Sequence, residues 1–180
     1  MDAETVERLI DAQGFDHRAS FDPKGLRIRK DVRAGCSPTQ CRYYGKNWVC
    51  PPACAELEEY ERELHGFSRG IVFQSVAKLK SVMDWTGMKD ALVNHDVRVY
   101  ALAEQLAAEY GAERYMVLAG DACALCDTCT YPDEPCRHPD RCLLPMEAVG
   151  LNVIETSTLA NLRYNYGEEF IASTSCVLFD

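Results

Sequence analysis

The sequence predicts an α/β fold, with α+β as its alternative: a single-sheet α/β sandwich carrying two cysteine-rich metal-binding loops. Three observations lead there. Helical patterns alternate with short hydrophobic runs, the arrangement that covers a sheet with helices. Three of those runs, Gly70–Ala77, Tyr115–Ala119 and Ile171–Phe179, are rich in β-branched and aromatic residues and suit a buried strand. The third observation is the cysteines: four lie between Cys36 and Cys54, five between Cys123 and Cys142, and Cys176 stands alone.

The elements follow in order. Asp2–Gln13 reads as an amphipathic helix with Val6, Leu9 and Ile10 on one face and Gly14 as its stop. Phe15–Ser20 and Leu26–Arg29 read as short strands around an Asp22-Pro23-Lys24-Gly25 turn. After the first cysteine loop, Ala55–His65 is an acidic helix ended by Gly66. Gly70–Ala77 is a strand. Asp84–Tyr110 is a long helix, because Trp85, Met88, Leu92, His95, Val99, Leu102, Leu106 and Tyr110 recur every three or four residues; Gly111 closes it. Tyr115–Ala119 is a core strand, and the second cysteine loop begins directly after it. Pro145–Val149 reads as one helical turn, Ser157–Tyr164 as a short helix and Ile171–Phe179 as the last strand. Both cysteine loops are expected at strand ends.

No Pro/Gly/Ser linker divides the 180 residues, so one domain over 1–180 is expected, with cysteine loops at 34–54 and 121–142. The net charge is −9 and no basic cluster is present, which argues against nucleic acid and anionic membranes as partners. No apolar run approaches the ~18 residues of a membrane span. The acidic first ten residues lack the basic-then-apolar order of a secretion signal. A cytoplasmic setting follows as the expectation. In a reducing compartment, ten thiols point to metal or redox chemistry before structural disulfides.

In the second loop, Cys123, Cys126 and Cys129 are separated by two equal two-residue gaps, and Cys136 follows after six residues. Three thiolates at such spacing can wrap one compact iron–sulfur cluster, with the fourth arriving from further along. The ferredoxin run closes after three residues rather than six, so the match is partial. Zinc competes, but structural zinc prefers two separated knuckles, and here Cys126 would belong to both. A redox dithiol at Cys123 and Cys126 is the third alternative, against which the evenly spaced Cys129 argues. A c-type haem site is excluded because Thr130, not histidine, follows Cys129.

The first loop, with Cys36, Cys41, Cys50 and Cys54, has less regular spacing. Tyr43, Tyr44 and Trp48 between its cysteines can shield a cluster from water or serve as plain packing, and Pro51-Pro52 directs the chain out of the loop. Cys54 lies just before the acidic helix, where aligned peptide dipoles favour a thiolate.

Together the two loops resemble a family known as "predicted metal-binding protein", a domain of unknown function found mainly in anaerobic bacteria and archaea. The residues that carry the resemblance are Cys36, Cys41, Tyr44-Gly45 and Cys50-Pro51-Pro52. They continue with Gly120, Cys123, Cys126, Cys129, Pro135-Cys136-Arg137 and Pro139, then Pro145-Met146-Glu147-Ala148 and Gly150. The resemblance implies metal binding at the cysteine loops and supplies no reaction. Cys54, Cys142 and Cys176 lie outside its pattern.

The expected cofactors are two iron–sulfur clusters of the [4Fe–4S] type, or zinc as the alternative. Cys36, Cys41, Cys50 and Cys54 would ligate one cluster, and Cys123, Cys126, Cys129 and Cys136 the other. The expected activity is electron transfer to a redox partner protein. The alternatives are a cluster enzyme acting on a small molecule and a zinc-bound interaction module. His95, on the apolar stripe of the long helix, reads as a core residue. His138 and Arg137 sit beside Cys136. Glu56, Glu58, Glu59, Glu61 and Glu63 form a solvated helix face that can also steer a basic partner.

Overall fold

The structure is a computed structural model that describes residues 1–111 and 115–180. Its elements are α1 (Ala3–Ala12), β1 (His17–Phe21), α2 (Lys30–Gly35), α3 (Leu57–Gly66), β2 (Arg69–Lys78), α4 (Trp85–Tyr110), β3 (Tyr115–Ala119), β4 (Leu144–Pro145), α5 (Val153–Leu159) and β5 (Phe170–Phe179), with single 3₁₀ turns at Pro23–Gly25 and Glu147–Val149. Three helices start where an acidic or amide side chain can bond the first free backbone N–H groups: Asp2 accepts from Thr5, Asp84 from Gly87 and Asn152 from Glu155.

One mixed five-stranded sheet has the order β1-β2-β5-β3-β4. The pairs β1–β2, β2–β5 and β5–β3 are antiparallel, and β3–β4 is parallel. Side chains alternate between the faces of the strands. On one face Ile71, Phe73, Val117, Val177 and Phe179 meet Val6 and Ile10 of α1 and Val99, Leu102 and Leu106 of α4. On the other, Val72, Leu118, Cys176 and Leu178 meet Tyr60 and Leu64 of α3 with Met146, Val149 and Leu151. Each fully buried aliphatic side chain here contributes about 1.5–3 kcal/mol as an upper estimate.

The middle of β2 and β5 is polar on both faces, and each group is satisfied. On the α5 side the Gln74 amide donates to Ser157 Oγ (3.3 Å) and Thr174 Oγ1 (3.2 Å) and accepts from the Tyr166 hydroxyl (3.0 Å). On the α4 side His95 bridges Ser75 (2.7 Å) and Ser175 (3.0 Å). Burial, with the charge of Arg98 added, lowers the His95 pKa to about 3, so the ring is neutral. His95 is therefore a core residue, as its place on the stripe suggests.

Four expectations need correction. Leu26–Arg29 is not a strand; only Ile28 forms a bridge, to Leu151, because neighbouring backbone groups are taken up by the Pro23–Gly25 turn and by Arg29 N–H donating to Gly150. The late helix is Val153–Leu159, not Ser157–Tyr164, because Asn152 caps it earlier. The apolar stripe of α4 is buried only from His95 onward, and Trp85 is exposed; the first turns of α4 contribute no residue to either buried face of the sheet. The first cysteine loop does not leave a strand: it runs from α2, which the sequence pattern did not reveal, to α3. The second loop does leave a strand, β3.

Candidate metal centre

Parallel strands need a crossover, and residues 120–143 make the one between β3 and β4, without a helix. The exit from β3 is tight. A Cβ on Gly120 would stand 2.7 Å from the Thr174 carbonyl of β5, so only glycine lets the chain turn away there. The return is fixed where Met146 N–H donates to Ala119 O (3.0 Å). Between these points Cys123, Cys126, Cys129, Cys136 and Cys142 line a single small cavity, closed by Asn47, Trp48 and Val49 of the first loop and by Leu125, Arg137 and His138. The His138 backbone N–H donates to Cys136 Sγ (3.4 Å), and the Arg137 guanidinium is held on Thr128 O (2.9 Å). Cys142 adds a fifth sulfur to the four the sequence assigned to this loop. Its thiol donates to Pro139 O (3.3 Å), and burial together with neighbouring Cys136 and Cys123 pushes its pKa up to about 11.

The first loop gathers its four cysteines by a different route. Gly45, in the left-handed region at φ 64°, donates to Pro51 O (2.8 Å) and folds the segment between Cys41 and Cys50 back on itself. Burial raises the Cys50 pKa to about 12, and its sulfur also feels Cys54, Cys41 and Cys36. Burial likewise raises Cys36 and Cys54, and the Arg33 guanidinium of α2 opposes the rise at both. Arg33 is itself tied to the carbonyls of Ala148 and Ala55. The Cys54 thiol donates to Val49 O (3.0 Å). At Cys54, burial therefore opposes the helix-end effect expected to favour a thiolate.

The two loops touch. Val49 and Cys50 pack with Ala122, against which Cys123 and Cys142 also lie. Trp48 Nε1 donates to Glu134 O (3.2 Å), and its ring meets Tyr131 edge to face at 4.9 Å. Glu147 approaches both loops: burial raises its pKa, Asp121 adds to the rise, and Glu147 in turn raises Cys36. Cys176 lies apart from these groups, fully buried in the β5 core layer.

Among the described residues, no three histidine, cysteine or acidic side chains converge closely enough to hold one metal ion. The donor set nevertheless suits a soft metal or an iron–sulfur cluster, because it is all thiol and partly buried. A second observation points the same way. The Tyr100 hydroxyl of α4 is buried without a hydrogen-bond partner, and the Cys123 sulfur is beside it. A neutral thiol is a weak acceptor, whereas a metal-bound thiolate is a strong one. Binding requires the raised thiols to lose their protons.

Sequence spacing did not single out Cys142, Arg33, Tyr60 or Tyr100. Cys142 carried a signal, as a cysteine six positions beyond Cys136; Arg33 and Tyr60 lie on the helices that flank the first loop with nothing in their spacing to mark them, and Tyr100 reaches the second loop from α4.

A family model described as "Predicted metal-binding protein (DUF2284)" matches residues 19–179, and the chain belongs to that family. No curated protein and no solved structure matches the chain. Among the described residues no helix is long and apolar enough to cross a membrane.

Proposed function

We propose that this member of the predicted metal-binding family is a cytoplasmic electron-transfer protein with two cysteine-ligated [4Fe–4S] clusters. Cys36, Cys41, Cys50 and Cys54 hold one; Cys123, Cys126, Cys129 and Cys136 hold the other. The observation that carries this reading is the cavity lined by five sulfurs and closed by residues of the other cysteine loop. The evenly spaced run Cys123, Cys126 and Cys129 suits a cluster better than zinc, because structural zinc prefers two separated knuckles. When bound, such clusters supply one-electron transfer at potentials set by net charge, hydrogen bonds to sulfur and exposure.

The chain's own contribution is placement. Trp48, Val49 and Asn47 cover the second cysteine group while belonging to the first loop, so the two groups are held by one packed unit, as a relay requires. Glu56, Glu58, Glu59, Glu61 and Glu63 begin two residues after Cys54 and lie on the outer side of α3 and its approach. With the net charge of −9, they would steer a redox partner carrying a basic face.

The test is protein prepared without oxygen. About eight irons and eight inorganic sulfides per chain, with broad absorbance near ~400 nm that bleaches on reduction, are expected. Stoichiometric zinc without sulfide would replace this reading by a zinc-bound interaction module. Catalysis on a small molecule also has an observation in its favour. A pocket lined by Tyr100, Glu104, Tyr115, Met116, Arg141 and Cys142 adjoins the second cysteine group. Steady turnover of a small molecule by the loaded protein would move the proposal from relay to enzyme.

A further inference from the structure

Each cysteine group has one tyrosine hydroxyl brought to it by a helix, and the two tyrosines are otherwise unrelated. On α3, Tyr60 is 5 % exposed. Its oxygen accepts from Ala55 N–H (3.2 Å), the residue after Cys54, and Tyr60 packs with Cys54 in the same apolar cluster. That bond uses the oxygen's lone pair and leaves the O–H proton free. The sulfur near it is Cys54, whose own thiol donates to Val49 O (3.0 Å). On α4, the Tyr100 oxygen is buried with no partner, beside Cys123. A buried hydroxyl left without a bond is unfavourable. The penalty is relieved once its neighbour is an anionic sulfur, because a charged acceptor makes a stronger bond than a neutral thiol.

We infer that Tyr60 and Tyr100 are paired positioning residues, donating O–H···S hydrogen bonds to the metal-bound thiolates of Cys54 and Cys123, one bond per centre. The inference rests on the cysteine groups being metal centres but does not need the metal to be iron. Two consequences follow. Each tyrosine fixes the orientation of one ligand sulfur from a rigid helix, and outer partners of this kind typically change metal affinity about 10–100-fold. Each also withdraws electron density from its thiolate, which favours the reduced state of a redox-active centre. The inference takes Cys54 as a ligand of the first centre, as its place four residues after Cys50 suggests.

The experiment uses the full chain, loaded without oxygen, as wild type, Tyr60→Phe and Tyr100→Phe. Two quantities are read at each centre: the rate of metal release to a chelator, and the reduction potential followed by electron paramagnetic resonance. The centres are told apart by adding Cys126→Ser or Cys50→Ser to each protein. Tyr60→Phe should speed release about tenfold and lower the potential at the first centre alone, and Tyr100→Phe should do both at the second alone. Replacing Tyr100 by 3-fluorotyrosine, a near-isosteric and stronger donor, should raise the second potential; this arm covers failure of the phenylalanine variant to fold. Unchanged release and potentials in both variants, or changes in both centres with either one, overturn the inference. If the metal is zinc, the iron–sulfur proposal falls while the release rates still decide this one.

Discussion

The two cysteine loops have similar ligands and opposite surroundings. The first is enclosed by helices: Cys50 is 5 % exposed, Arg33 reaches in from α2 and Tyr60 from α3. Burial raises Cys36, Cys50 and Cys54 there, neighbouring sulfurs add to the rise, and Arg33 opposes it at Cys36 and Cys54. The second is hung between two parallel strands, and five cysteines line one cavity; burial raises the Cys142 thiol most, and neighbouring Cys136 and Cys123 add to the rise. The first loop thus offers its sulfurs a cation, Arg33, and a hydroxyl, Tyr60, from the flanking helices, and the second offers a spare sulfur, Cys142. The physical difference is anchoring. A loop between helices is gripped by side chains from both, whereas the crossover loop is fixed at its ends, at Gly120 and Met146, and in between by the first loop, through Trp48 against Glu134 and Tyr131.

The largest expected effect breaks the comparison outright if it fails. Cys126→Ser or Cys129→Ser should remove all metal from the second centre and leave the first loaded, and Cys50→Ser should do the reverse, measured as metal per chain. If one substitution empties both loops, they form a single centre and the contrast dissolves.

The next effect concerns what lies beneath each loop. His95 holds Ser75 and Ser175 on the α4 side, next to the strand the Gly120 turn rests on. Its pKa is about 3 in the fold, against 6.5 for a free imidazole. The unfolded chain therefore binds a proton that the folded one refuses. This contribution to stability is intact above about pH 6.5 and is lost as pH falls towards 3, on the order of 5 kcal/mol in all. In the metal-free protein the urea midpoint should fall between pH 7 and pH 4. His95→Gln should flatten that fall, at the cost of lower stability at pH 7. An equally steep fall in His95→Gln would place the acid sensitivity elsewhere.

Arg33 sharpens the contrast in tuning. Arg33→Met removes the cation that opposes the raised pKa of Cys36 and Cys54. Metal affinity of the first centre should drop about tenfold, and the second should be unchanged. Arg33→Lys, which keeps the charge but loses the planar fork, should fall between. Competition with a chelator at fixed pH reads all three.

Redundancy predicts a smaller effect in the second loop. Cys142→Ser should leave that centre loaded, since Cys136 remains, while the double variant Cys136→Ser with Cys142→Ser should empty it. Loss of metal in Cys142→Ser alone would make Cys142 the true fourth ligand. The smallest effect is at Cys176. Cys176→Ser should leave metal content unchanged and cost about 1–3 kcal/mol of stability, because a hydroxyl replaces a small apolar side chain in the core. The urea midpoint and the metal assay separate the two outcomes.

Much of the fold was legible because its signals are local. The period of α4 from His95 onward, its stop at Gly111 and the β-branched runs of β2, β3 and β5 each depend on residues within one element. The failures have the opposite character. Leu26–Arg29 looks like a strand by composition, but a bridge to Leu151 and the bond to Gly150 decide its shape, and both partners lie far along the chain. Trp85 and Met88 continue the periodic pattern of α4 although the sheet does not extend beneath them, which no periodicity can reveal.

By itself the sequence determined the family, the α/β class and the grouping of cysteines, since spacing within a loop limits which thiolates can meet on one metal. Only the tertiary structure decided that the two loops share a packed contact, that Cys142 faces the same cavity as its four neighbours, and that Arg33, Tyr60 and Tyr100 arrive from three helices. The reason is range. Ligand spacing and amphipathic period are properties of short stretches of consecutive residues, whereas the charge, burial and hydrogen bonds at a sulfur come from whatever the sheet order brings beside it. The order β1-β2-β5-β3-β4 is set by the joint burial of both sheet faces, a condition on the whole chain at once.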